Sequence, residues 1–208
     1  MKKILFSAAA VFTMVLLAFT PKGGENYTTL AIGDKAPLQT KTMQNIDGKQ
    51  LNLEGLKKDN GIVVIFTCNT CPFVLQWEDR YPEIADLASK NGIGVALVNS
   101  NEAKRKGEDS MEEMIKHATE MGYGDLAYLV DEQSALANAF GAKTTPHVFL
   151  FDKDGKLVYE GAIDDNSKDA KAVNSTYLKD ALNNLQAEKK ISPNNTKSIG
   201  CSIKRVKV

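Results

Sequence analysis

The sequence predicts an α/β protein: a central mixed β-sheet flanked by helices on both faces, with a β-hairpin at its N-terminal end. Three observations predict it. First, short runs rich in apolar and β-branched residues, Ile62–Phe66, Val95–Val98, Leu126–Val130 and Val148–Phe151, alternate with segments whose apolar residues recur near helical spacing. Second, Asn45-Ile46-Asp47-Gly48 and Asp152-Lys153-Asp154-Gly155 are turn signals between strand-like stretches, one near each end. Third, 208 residues that are 43% hydrophobic and 25% charged have the composition of a folded protein. A single domain of that length buries about 70% of the surface its unfolded chain exposes.

The elements follow in order. Lys2 and Lys3 precede an apolar run from Ile4 to Phe19, which ends at Thr20-Pro21-Lys22-Gly23-Gly24. A short basic start, an apolar stretch and then breaking residues describe a secretory signal peptide over residues 1–20. The run falls short of the roughly 20 residues a membrane-spanning helix needs, so membrane contact is expected only through this segment if it stays uncleaved. The protein is therefore expected to be exported, to the periplasm or outside the cell. Residues 21–30 read as a polar linker, and residues 31–187 as the folded domain. Ile32–Pro37 turns into an alternating stretch from Leu38 to Met43, and Lys49–Leu51 returns as its hairpin partner. Ile62–Phe66 is a strand buried on both faces, followed by a helix from Pro72 to about Lys90. Val95–Val98 is the next strand, and Asn101–Asp109 a charged loop. Ser110 and Glu113 then cap a helix carrying Met111, Met114, Ile115, Ala118 and Met121 on one face. Leu126–Val130, a short helix at Ser134–Phe140, Val148–Phe151 and the hairpin partner Lys156–Gly161 complete the sheet. A last helix runs from about Ser175 to Ala187, and residues 188–208 form a C-terminal extension.

Charge narrows the function. Twenty-six Lys and Arg balance 26 Asp and Glu, and removal of residues 1–20 leaves 24 − 26 = −2. A nucleic-acid partner is not expected, because phosphate binding draws on a basic surplus. Three Cys are too few for a disulfide-stapled miniprotein. Export makes them informative all the same, since disulfides form and persist outside the cytosol.

Cys68-Asn69-Thr70-Cys71 falls where the buried strand hands over to the helix. A dithiol at a strand–helix junction is a redox arrangement, because the thiolate is the reactive form and a helix N-terminus favours it. Pro72 suits the first helical position, which makes Cys71 the N-cap. Thr144-Thr145-Pro146-His147 stands directly before the fourth strand, a place where a cis proline fits. Beside the dithiol, such a loop leaves the Thr145 backbone free to pair with a substrate peptide. His147 either faces the dithiol and tunes its charge or points into the sheet. Cys201 is either a third redox cysteine or a small buried apolar residue, the second being the commoner fate of a free Cys. An inert buried pair, or zinc held by Cys68, Cys71, Cys201 and one His, are the alternatives. No metal or organic cofactor is expected.

These residues carry a family resemblance. The chain resembles the thioredoxin superfamily, in the redoxin branch that includes alkyl hydroperoxide reductase/thiol-specific antioxidant proteins and exported thiol–disulfide reductases. The resemblance rests on Gly33-Asp34-Lys35-Ala36-Pro37, Asp47-Gly48-Lys49, the Cys68/Cys71 junction, Thr145-Pro146 and Asp152-Lys153-Asp154-Gly155-Lys156. Thr67-Cys68-Asn69-Thr70-Cys71-Pro72 and Gly200-Cys201-Ser202-Ile203-Lys204 are similar to a peroxiredoxin-like subgroup. It implies a thioredoxin-like fold with Pro146 cis and close to the cysteines.

Two departures matter. The thioredoxin strand phenylalanine lies five residues before the nucleophile, and Phe66 is five before Cys71. That spacing makes Cys71 the nucleophile with Cys68 resolving, while the ordinary C-x-x-C reading reverses the roles. Peroxidases of the family carry Pro-x-x-x-Thr-x-x-Cys, and here Cys68 stands at the Thr position, leaving Thr67 as a substitute only if the loop is remodelled. The function expected is therefore an exported thiol–disulfide oxidoreductase acting on protein disulfide or dithiol partners through Cys71 and Cys68, with Thr145 and Pro146 holding the partner. The alternatives are a peroxiredoxin-like thiol peroxidase and a redox-silent binding module that has kept the fold.

Overall fold

The computed structural model describes residues 27–206; the expected signal segment and most of the expected linker lie outside them. The strands are β1 (Met43–Asn45), β2 (Gln50–Leu51), β3 (Gly61–Thr67), β4 (Ile93–Asn99), β5 (Ala127–Val130), β6 (Thr144–Thr145), β7 (His147–Asp152), β8 (Leu157–Gly161) and β9 (Cys201–Ser202). The helices are α1 (Leu53–Leu56), α2 (Pro72–Trp77), α3 (Tyr81–Lys90), α4 (Met111–Glu120), α5 (Ala135–Phe140) and α6 (Tyr177–Gln186). Seven strands form one sheet in the order β2-β1-β5-β4-β3-β7-β8, and β6 and β9 form a separate pair. Strands β3, β4 and β5 run parallel; β7, β8, β1 and β2 join antiparallel. This is the mixed sheet of a thioredoxin-like fold.

Alternation along β3 explains the two layers. Val63 and Ile65 face a core that holds Ile84 of α3, Met114 of α4 and Leu182 of α6. Ile62, Val64 and Phe66 face the other core, with Leu53 of α1 and Phe140 of α5. A strand covered on both faces has no polar side to show, so its run is continuously apolar.

Three elements differ from the sequence expectation. The helix expected over Pro72–Lys90 breaks after Trp77, passes through a single 3₁₀ turn and restarts at Tyr81. Pro82 has no N–H to donate to the Glu78 carbonyl, and its ring crowds that carbonyl, so the helix restarts with proline in its first turn. The first hairpin strand begins at Met43 and not at Leu38, whose φ of 53° belongs to a turn. The described part of the linker is docked: Leu30 N–H donates to the Phe140 carbonyl at 3.1 Å and the Thr29 hydroxyl to the Gly141 carbonyl at 3.0 Å.

The C-terminal extension also follows the domain surface. Its backbone runs beside β8, where Glu160 N–H donates to the Asn194 carbonyl and Thr196 N–H to the Glu160 carbonyl. It then pairs with β6 as β9. Beyond β9, Ile203 is buried in the core that holds Phe66 and Phe140. Lys204 N–H donates to Asn101 Oδ1 at 2.8 Å, and Arg205 Nε donates to Asn138 Oδ1 at 2.6 Å.

Candidate active site

The turn from β3 into α2 places the first two cysteines. Cys71 is the N-cap of α2, as expected, with Pro72 at the first helical position. Its sulfur makes no cap hydrogen bond, and α2 is only six residues long, because of the break that Pro82 imposes. The helix terminus thus offers the sulfur less than the sequence suggests.

Between the cysteines, Asn69 is the anchor. Its backbone N–H donates to Asp109 Oδ1 at 3.0 Å, its Nδ2 to the Glu108 carbonyl at 2.8 Å, and its Oδ1 accepts from the Tyr128 hydroxyl at 2.8 Å. Asp109 is fully buried and also accepts from Asn99 Nδ2 at 2.7 Å and Asn101 Nδ2 at 3.0 Å. Burial holds the Tyr128 phenol far above its ordinary pKa, so it stays a neutral donor. Asp109 was expected in a charged loop. Nothing in its local pattern marks a carboxylate that collects amide donors from Asn69, Asn99 and Asn101.

Thr145 links both cysteines. It is 1% exposed; its hydroxyl lies 3.3 Å from Cys68 Sγ and its carbonyl 3.2 Å from Cys71 Sγ. The Thr145–Pro146 bond is cis, and the loop sits at the dithiol, as the resemblance implies. The backbone edge of Thr145 is not free, however. Strand β9 pairs antiparallel with β6 in the register Thr144↔Ser202 and Thr145↔Cys201. That register carries Cys201 to Cys71, and the two are joined in a disulfide with Cα atoms 6.1 Å apart across 130 residues of sequence. Cys201, for which burial as a small apolar residue was the favoured reading, is therefore a half-buried bonded partner, and Cys68 is a free thiol. The sequence expectation paired Cys68 with Cys71. The structure joins Cys71 to Cys201 because a register set 56 residues after Thr145 decides which sulfur arrives.

Cys68 is 2% exposed and Cys71 5% exposed. Burial pushes the Cys68 thiol above its ordinary pKa; the Thr145 hydroxyl partly opposes this, while the Asp109 charge adds to it. Cys68 is held as a neutral thiol. Around the disulfide the surface is open: Thr70 and Pro72 are exposed, as are Leu75, one turn along α2, and Ile199 on the approach to β9.

The remaining expected residues, His147 and Thr67, are engaged with other partners. His147 is buried and turned into the sheet: Nε2 pairs with Glu160, Nδ1 accepts from Lys143 N–H at 3.2 Å, and the ring lies 4.6 Å from Phe149. Both ring nitrogens are engaged there. Thr67 is fully buried, with its hydroxyl on the Tyr81 hydroxyl at 3.1 Å. Among the described residues no group of three or more His, Cys, Asp or Glu is placed to hold a metal ion, and no helix is long and apolar enough to cross a membrane.

Comparison with known proteins places this geometry. The Thiol-disulfide oxidoreductase ResA of Geobacillus thermodenitrificans is 26% identical over 154 residues, 74% of this chain and 79% of the relative. An uncharacterized conserved protein from Geobacillus kaustophilus is similar in structure, with TM-score 0.78 and 35% identity over 86% of this chain and 94% of that one. A thioredoxin-like protein solved in its oxidised form, at 19% identity and TM-score 0.57 over 76% of this chain and 97% of that one, shares the fold. The Redoxin family model matches residues 31–176, from the first turn to the start of α6, with the Cys68–Cys71 loop and the cis-Pro146 loop inside it, and the chain belongs to the Redoxin family.

Proposed function

We propose that this protein is an exported thiol–disulfide oxidoreductase that exchanges disulfides with partner proteins, and that Cys71 is the sulfur that bonds the partner. One observation carries the reading. Cys71 lies against the backbone edge of Thr145, and that edge pairs antiparallel with an extended segment bearing a cysteine bonded to Cys71. A partner peptide in the same extended form would have its main chain held by Thr145 beside Pro146 and its sulfur aimed at Cys71.

In the reduced protein the Cys71 thiolate attacks one sulfur of the partner disulfide. A bond forms between the two sulfurs, and the other partner sulfur leaves as a thiolate. A second thiol then attacks Cys71 Sγ, and the partner leaves as a dithiol. Electrons return from another dithiol protein. A relative named as a thiol-disulfide oxidoreductase supports the reaction class, and the basic, then apolar, N-terminal sequence supports export. The reading is favoured over a thiol peroxidase because Thr67, the side chain that would have to hold the peroxide, is buried against Tyr81. Insulin reduction driven by dithiothreitol tests it. Cys71→Ser is expected to reduce turnover to background, while wild-type protein loses thiols only slowly to hydrogen peroxide. Full turnover by Cys71→Ser overturns the assignment, and no turnover by the wild type supports the redox-silent module.

A further inference from the structure

We propose that Cys201 is the resolving cysteine of this protein, and that β9 occupies the position a partner's peptide must take, so that strand and partner exclude one another at Thr145. The inference rests on the thiol–disulfide reading above and assigns its second sulfur, and with it the kind of peptide the site accepts.

Access comes first. Cys71 is nearly sealed, and what covers it includes β9, whose Cys201 is only half-buried. A partner can bond Cys71 only when β9 has left. The strand is built to leave and return: only Cys201 and Ser202 pair with β6, whereas the residues just beyond it are firmly held. Ile203 is buried, Lys204 is bonded to Asn101 and Ala103, and Arg205 to Asn138 and Ala142. A released Cys201 thus stays tethered two residues from the anchored Ile203, on the side where it meets Cys71. Tethering on short flexible linkers gives effective concentrations in the millimolar range. Cys68, three residues from Cys71 in the chain, is tethered as closely but is sealed, at 2% exposed. It lies behind Thr145, hydrogen-bonded to its hydroxyl, with its thiol kept neutral by burial.

The cycle balances. The Cys71 thiolate bonds a partner sulfur and expels the other partner thiolate. Cys201, as thiolate, attacks Cys71 Sγ; the Cys71–Cys201 bond forms and the partner's second sulfur leaves. The partner gains two electrons and the protein loses two. For regeneration, a dithiol protein attacks the more exposed Cys201 sulfur, Cys71 leaves as thiolate, and the donor's second thiol releases Cys201 as its own disulfide closes. Re-pairing of β9 with β6 in the resolving step takes the edge back from the partner, so resolution and product release are one event.

The strand also describes its competitor. A Cβ on Gly200 would lie 2.3 Å from the Thr145 carbonyl oxygen, so only glycine approaches the turn there in this register. The partner class is an extended segment with glycine directly before its cysteine.

The test uses the full folded protein, reduced and freed of reductant, mixed with an acetylated Ser-Gly-Cys-Ser amide whose cysteine carries a 2-pyridyl disulfide. Thiopyridone release reports attack by the protein, and intact mass reports the peptide adduct. Wild type and Cys68→Ser are expected to form the adduct transiently and end with two thiol hydrogens lost and the peptide released. Cys201→Ser is expected to keep the adduct about 100-fold longer, the ratio of a millimolar tethered thiol to about 10 μM of free thiol in solution. If Cys201→Ser clears the adduct as fast as the wild type, or Cys68→Ser is the variant that traps it, the proposal fails. Should Cys201→Ser not fold, peptide mapping of the wild-type product decides: a Cys71–Cys201 bond supports the proposal, a Cys68–Cys71 bond overturns it. Adduct formation by Cys71→Ser at the wild-type rate would sink the underlying reading of Cys71 and leave the question of which sulfur resolves to the mapping. A Ser-Val-Cys-Ser peptide reacting as fast as the glycine peptide would overturn the assigned partner class.

Discussion

The disulfide that closes the site also ties the C-terminal extension to the start of α2, and its contribution to stability follows from the chain it encloses. Cys71 and Cys201 are 130 residues apart. Closing a loop of that size removes denatured-state entropy worth about 5 kcal/mol in the chain-entropy model, and native disulfides of small domains measure about 2–5 kcal/mol on removal. With a urea slope of about 2.5 kcal/mol/M, the oxidised protein should unfold about 1–2 M later than the reduced one. Trp77 is the only tryptophan and is 1% exposed, so its fluorescence reports global unfolding without an added probe. The curves to compare are oxidised wild type, wild type in excess dithiothreitol, Cys201→Ser and Cys68→Ser. The reduced wild type and oxidised Cys201→Ser should coincide, and oxidised Cys68→Ser should keep the full shift on reduction. A shift below about 0.3 M, or its disappearance in Cys68→Ser, would refute the Cys71–Cys201 pairing.

Other expectations follow from the same geometry. Gly200→Val forces a side chain against the Thr145 carbonyl; overpacking of about 1–3 kcal/mol should move the thiol–disulfide equilibrium with dithiothreitol toward the reduced protein by about 5- to 150-fold, read by thiol titration. Asp164, buried, accepts from Trp77 Nε1 at 2.8 Å and pairs with Arg80 Nε at 3.0 Å, so Asp164→Ala removes the closer of two carboxylates from the buried guanidinium, leaving Asp79 at 3.5 Å, and should cost about 3 kcal/mol in urea unfolding. Asp165→Ala, which removes only an exposed acceptor of the Asn174 N–H at 3.0 Å, should cost about 1 kcal/mol in the same measurement. With the Cys71–Cys201 bond closed the Cys68 pKa is raised on folding, so the folded state holds that proton more tightly and stability falls as pH rises above the unfolded thiol's value, about 9. Cys68→Ala should therefore lose less stability than the wild type between pH 8 and 10, and an equal loss in both would contradict a buried neutral thiol.

Much of the fold was legible because its signals are local. The apolar run Ile62–Phe66 implied a strand with helices on both faces, and Val63 and Phe66 do face different cores. The turn at Asp152–Gly155 and the cap at Ser110, which accepts from Glu113 N–H at 3.3 Å, lie where short-range patterns placed them. Pro82 was equally visible, yet its break in the helix was outweighed by the apolar spacing on either side. At the site, sequence adjacency was a poor guide to partnership. Cys68 and Cys71 are neighbours in the chain, but Thr145 and β9 determine which sulfur each one meets. Likewise Asp109 and Asn69 carry no local mark of the buried network they share.

The sequence by itself determined the α/β layering, the strand–helix junction that holds Cys71 and the proline turn at Thr145-Pro146, since each is written in patterns that span a few residues. The tertiary structure alone decided that His147 turns inward to Glu160, that Cys68 is sealed, and that Cys201 closes on Cys71. Those outcomes are set by strand register and by packing between segments up to 130 residues apart, where the free energy of a contact resides in the pair and neither segment alone encodes it.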